Sequence, residues 1–276
     1  MWWRGAGLLA VAAVGLTAVL LWRQSVPSAA PPPTRHVHAL GVDPADGTLY
    51  AATHQGLYQV TGDRPATLVS DRTPDLMGFT VAGPNRFLAS GHPDGQGDEP
   101  DYLGLVESVD AGATWRPVSL SGTADLHSIG VSATTVYAID AVSGSLLVTT
   151  DQRRWRTQSR PAPGDLAVSP TDPGSLIVTT GQDMRRSADA GRAWTDLPGP
   201  PLVLLDWPEA RTLTGITADG RLQLSLDGGR SWQPRATVPG APQALHAVST
   251  AQLYVATDAG IFASVDGGWS FNPVEF

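Results

Sequence analysis

Cysteine is absent from this chain, and so is lysine: all 18 basic residues are arginine. Without cysteine there is no disulfide, no thiolate metal site and no cysteine nucleophile. A formal net charge of −8, with no basic stripe, argues against nucleic acid as a partner. Glutamate is scarce. Glu99, Glu107, Glu209 and Glu275 are the only four, and none stands where the pattern below places a channel. Long apolar runs are missing too, except for one near the start.

What is present is a repeated phrase. It reads SVDAGATW from Ser108, SADAGRAW from Ser187, SLDGGRSW from Ser225 and SVDGGWSF from Ser264, with a worn copy, TTDQRRW, from Thr149. Asp110, Asp151, Asp189, Asp227 and Asp266 therefore recur every 38 to 41 residues. A period of that length marks a stacked array of identical supersecondary units. Serine and aspartate bond the backbone that follows them and close a tight turn. Gly112, Gly191, Gly229 and Gly268 relieve the left-handed backbone inside it. Trp115, Trp155, Trp194, Trp232 and Phe271 then restart a strand and bury a ring between sheets.

Each repeat reads as four short antiparallel strands, as in LHSIGVS, TVYAIDA, SLLVTTD and WRTQSR from Leu126 onward. The roughly 240 residues after position 35 divide into six such units, enough for one large all-β domain. The fold expected is a six-bladed β-propeller over 36–276, with blades at about 36–74, 75–120, 125–160, 163–198, 201–238 and 243–276. The units read as self-contained, and the domain as a monomer.

Residues 1–24 form a separate segment. Gly5 to Trp22 is uncharged, almost wholly apolar and flanked by Arg4 and Arg23; at about 18 residues it is just long enough to span a bilayer. It reads as a helical signal anchor, or alternatively as a cleaved signal peptide. The expected location is the cell membrane with the propeller outside the cytoplasm; the alternative is secretion. The proline-rich stretch 25–35 is a stiff spacer.

The first strand of each blade lines a propeller's channel. One register of these strands offers His38, Met77, His127 and His246, and two residues earlier stand His36, Asp75 and Asp125. His54 and His92 close the second strands of blades one and two. All six histidines are thus expected at one end of the channel, opposite the repeated turns, with blades four and five contributing nothing similar. The set His36, His38, His54, Met77, His92, His127 and His246 is the candidate ligand-binding surface. A metal is expected on His38, His127 and His246, with copper suited to histidine plus methionine and zinc to histidine plus carboxylate. Beside it, an insertion from Ser90 to Tyr102 carries Asp94, Asp98, Glu99 and Asp101. It reads as a mobile acidic lid, since its spacing lacks the order of a calcium loop.

The repeated phrase resembles the Asp-box (BNR) repeat of sialidase-like β-propellers. HVHALGVDPADGTLYAATHQGLY, DLMGFT, SGHPD and LGLVESVDAGATW are similar to an actinobacterial-type family of glycosyl hydrolases with such propellers. The resemblance implies exo-alpha-sialidase-like hydrolysis of surface or extracellular glycans. The three arginines and the Tyr–Glu pair of sialidases have no counterparts at channel positions here. Asp75 and Asp125, equivalent in neighbouring blades, are the candidate carboxylate pair for any glycoside hydrolysis. Photosystem-assembly and sortilin-type propellers resemble the repeat as well and imply binding of proteins or peptides. The leading expectation is therefore a surface propeller that binds a glycan, a small ligand or a protein at a histidine-rich channel mouth; the alternative is the hydrolase.

Overall fold

Turn residues recur every few positions along this chain, and the strands between them are correspondingly short. The computed structural model describes residues 36–160, 164–180 and 183–276. Over these it forms six four-stranded antiparallel sheets, each built from four consecutive strands. The first strands are Val37–Val42, Asp75–Gly83, Leu126–Ser132, Asp165–Val168, Leu202–Glu209 and Pro242–Ala247. Each packs against the first strand of the next blade, and the sixth packs against the first. The result is a closed six-bladed β-propeller with first strands around its axis. The signal-anchor expectation for 1–24 and the spacer over 25–35 lie outside the described residues. Among the described residues no helix is long and apolar enough to cross a membrane.

The core lies between blades. Tyr50, Ala52 and Leu57 of blade one meet Leu76, Phe79, Phe87 and Val106 of blade two, and an equivalent cluster fills each junction. Blade six meets blade one through Leu40, Ala51, Ala244, Ala256 and Ile261. That seam involves no strand exchange. The Val37 N–H donates to Gln243 Oε1 at 3.0 Å, and a lone antiparallel bridge joins Gly62 to Glu275. Burying apolar area between sheets is the dominant stabilising contribution in such a ring.

The repeated turns are built alike. In blade five the Ser225 hydroxyl accepts the buried Gly229 N–H at 2.8 Å and donates to Asp227 Oδ1 at 2.9 Å. Asp227 in turn accepts the Ser231 N–H at 2.9 Å. Blades two, four and six repeat the serine-to-glycine bond at 2.8 to 2.9 Å. The worn copy in blade three closes one residue early. Thr149 Oγ1 accepts the Gln152 N–H at 2.9 Å, and Gln152 takes the left-handed conformation itself, at φ 59°. The following tryptophans tie neighbouring blades: Trp155 Nε1 donates to Ser119 Oγ at 2.9 Å and Trp194 Nε1 to Ser159 Oγ at 3.0 Å.

Candidate functional site

First strands start, and second strands end, at the face opposite the repeated turns. A β-bulge marks most of these starts: the pairing slips at His38, Met77, His127, Val203 and Gln243. A bulge admits one extra residue and re-aims its side chain. The bulged residues thus form one register around the channel mouth.

His38 is the first of them, and it belongs to a cluster. His38 Nε2 lies 3.1 Å from His54 Nδ1, His54 Nδ1 lies 2.9 Å from Asp75 Oδ2, and His38 Nε2 lies 3.4 Å from Asp75 Oδ1. The three residues come from the first strands of blades one and two and from the turn after the second strand of blade one. His36 flanks them, its ring stacked on His54 at 5.4 Å and edge-on to His38 at 4.7 Å. Burial, followed by the neighbouring His54 and His36, pushes the His38 pKa down to about 4 against the opposing pull of Asp75. His36 is lowered for the same reasons, burial first. His38 is therefore a neutral imidazole at physiological pH, the form that binds metals.

Protons alone serve this cluster poorly. If His54 Nδ1 carries a hydrogen, it can point to Asp75 or to His38 but not fully to both. If it carries a lone pair, that pair faces the Asp75 carboxylate. Asp75 Oδ1 is buried and has no hydrogen-bond partner, because its contact with His38 lacks hydrogen-bond geometry. A cation bound at about 2.1 Å to tetrahedrally arranged donors sets each pair about 3.4 Å apart; the two imidazole nitrogens stand 3.1 Å apart, and Asp75 meets them through different oxygens.

A second cluster stands at the next blade junction. His127 Nε2 lies 2.8 Å and His92 Nε2 3.5 Å from the same oxygen, Asp125 Oδ2. Asp125 is 6% exposed, and its Oδ1 also lacks a hydrogen-bond partner. The Tyr102 ring sits 5.6 Å from that of His92. The two clusters adjoin closely enough for His127 to contribute to the lowering of His38.

His246 departs from the expectation. The bulged residue of its strand is Gln243, so Gln243 is the counterpart of His38, and His246 lies three residues further from the mouth. Its partner is Asp206, at 3.3 Å, and neither cluster includes it. The metal set His38, His127 and His246 is thus divided among three places. Blades four and five also contribute more than expected. Asp165 and Asp206 face their neighbours' first strands, Asp165 accepting the Leu205 N–H at 2.9 Å and Asp206 the Ala247 N–H at 2.7 Å.

The insertion is not a free acidic lid. Arg72 holds both oxygens of Asp94, at 2.6 and 2.8 Å, and reaches Glu99 at 2.8 Å. Asp94 also accepts the Thr73 and Gln96 N–H groups. The guanidinium keeps the Asp94 carboxyl far below the usual carboxylate range. Gly91, at the start of the insertion, has φ 143°, and a Cβ there would stand 1.9 Å from the Asp75 carbonyl oxygen. Only glycine lets the second strand of blade two pass so close to Asp75. A separate pocket lined by Arg72, Pro74, Pro93, Trp115 and Pro117 includes none of the histidines.

No protein-family model matches the chain, and neither does any curated protein. Solved structures share its fold. A gluconolactonase from Xanthomonas campestris, XC5397, is 13% identical with a TM-score of 0.67 over 83% of this chain and 86% of its own. YCF48 bound to D1 peptide is 16% identical, with a TM-score of 0.54 over 87% and 81%. A GH74 xyloglucanase from Xanthomonas campestris is 16% identical, with a TM-score of 0.58 over 88% of this chain but only 38% of its own. At such identities the likeness establishes the propeller and leaves the activity to the site.

Proposed function

We propose that this propeller binds a divalent transition-metal ion at the mouth of its channel, through His38, His54 and Asp75. One observation carries the reading: three ligand atoms, from two first strands and the turn after a second strand, converge within 4.8 Å of one another. Two imidazoles and one carboxylate suit zinc or copper. His36 flanks the ion, and Gly91 lets Asp75 and the second strand of blade two approach each other. Together with the apolar segment before residue 24, the domain belongs outside the cytoplasm, carried at the cell membrane. There the bound ion is either cargo or the anchor for a glycan, a small ligand or a protein at the same mouth.

Hydrolysis of glycosides, the activity that the repeated turns and their likeness to Asp-box propellers imply, has weaker support. Asp75 and Asp125 are each engaged by histidines, which leaves neither placed as a free general acid.

The test is metal retention. The full-length chain, purified without a polyhistidine tag, is loaded with Zn²⁺, desalted and analysed by mass spectrometry beside an H38A/H54A variant. The expected result is a near-stoichiometric ion in the parent that the variant loses. Equal retention by both, or none by the parent, overturns the reading.

A further inference from the structure

The cluster around His38 is not the only one that the repeat has built. Blade by blade, the positions correspond. His54 and His92 both follow the last inner residue of a second strand, and Asp75 and Asp125 both stand two residues before a bulge. His38 and Met77 are the bulged residues of their blades. One junction thus offers His38, His54 and Asp75; the next offers Met77, His92 and Asp125, with His127 added from blade three.

The hydrogen bonds at this second junction point to a ligand. His92 Nδ1 lies 3.0 Å from the carbonyl oxygen of Asp101. A carbonyl only accepts, so Nδ1 carries the hydrogen and a neutral ring has its lone pair on Nε2. That lone pair faces Asp125 Oδ2, an acceptor, across 3.5 Å. Two acceptors aimed at each other need a cation between them, either a proton on Nε2 or a metal ion. A metal-bound histidine is commonly held in this way, its other nitrogen donating to a carbonyl that fixes tautomer and ring. The other Asp125 oxygen, Oδ1, is buried with no partner, and the residue is more than nine-tenths buried. An unpaired carboxylate oxygen in such a place is costly unless something positive reaches it.

We infer that the junction of blades two and three is a second metal site, formed by His92, Asp125 and His127, with Met77 as a soft fourth donor. The thioether separates it chemically from the first site: it favours Cu⁺, whereas a histidine–carboxylate set suits Zn²⁺. The inference rests on the reading of the channel mouth as a metal-binding face, and its test separates the two.

Full-length chain without a polyhistidine tag is loaded with Cu⁺ under anaerobic, reducing conditions, desalted, and its copper counted per chain. The variants are H38A/H54A and H92A/H127A; the His54, His92 and His127 side chains are 38 to 52% exposed, and melting curves confirm the fold. The expected result is one copper ion in the parent, kept in H38A/H54A and lost in H92A/H127A. Copper that survives in H92A/H127A, or no retained copper at all, overturns the second site and leaves the first to its Zn²⁺ test. Copper retained by a parent that does not retain Zn²⁺ keeps the second site and removes the first. M77L is expected to weaken Cu⁺ binding by about tenfold or more and leave Zn²⁺ unchanged; an unchanged Cu⁺ affinity strikes Met77 from the donor set.

Discussion

The carboxylate of Asp165, on the first strand of blade four, accepts the backbone N–H of Leu205 on the first strand of blade five at 2.9 Å. Its other oxygen accepts the N–H of Leu166. Burial nevertheless outweighs these bonds and raises the Asp165 pKa to about 6, with Asp206 adding to the rise and Ser128 opposing it. A carboxyl with a folded pKa above its unfolded one contributes stability that is complete below about pH 4 and lost as pH rises through about 6. His38 acts in the opposite sense over much of that range, so a difference measurement is needed. The melting temperature of D165N minus that of the parent should fall as pH drops from 7 to 4.5. A constant difference would show that Asp165 titrates normally.

Ser225 and Gly229 give a sharper test of the repeated turn. S225A leaves the buried Gly229 N–H without its acceptor, which costs about 1–3 kcal/mol and several degrees of melting temperature in a domain of this size. S231A removes only the exposed bond from Ser231 Oγ to Asp227 and should change little. Equal losses in the two variants would mean that the buried N–H finds another partner.

Gly91 positions the first site without touching a metal. G91A drives a Cβ toward the Asp75 carbonyl and is expected to abolish Zn²⁺ retention as well as lower the melting temperature. Gly83 has a comparable φ of 157° but nothing within 4 Å of its Cβ position. G83A carries the backbone strain alone and should keep its ion. Loss of zinc in both would assign the effect to general destabilisation.

Arg72 fastens the insertion in blade two. R72A removes every bond from that side chain to Asp94 and Glu99 and should expose the segment between Pro93 and Tyr102 to limited proteolysis, with cleavage rising about tenfold as local opening becomes easier. An unchanged cleavage rate would mean that the turn bonds from Asp94 to Thr73 and Gln96 suffice.

Much of this architecture is legible in the sequence, for a physical reason. The serine–aspartate–glycine turn is chemically distinctive, and its period counts the blades even where Gln152 replaces the glycine. His36, His38, His54 and Asp75 are legible as neighbours because strand ends converge at one face by topology. His246 is misplaced because each bulge inserts a residue without a compositional mark: LHAV in blade six imitates LHSI in blade three, yet Gln243 holds the bulge. Asp165 and Asp206 escape because each reads as an ordinary polar residue in an apolar strand. Arg72 escapes because a basic residue between blades says nothing of which carboxylates it will meet.

The seam between blades six and one holds the last consequence. Other interlocked rings fasten first and last blades by lending a strand across the join, which binds the ends of the chain to one particular opening. Here every blade is a single uninterrupted stretch, and the seam resembles the five other junctions. Where the polypeptide begins is therefore a matter of threading and not of architecture. A rearranged chain, with its ends joined and a new start between blades four and five, should rebuild the same ring and leave both histidine clusters uncut.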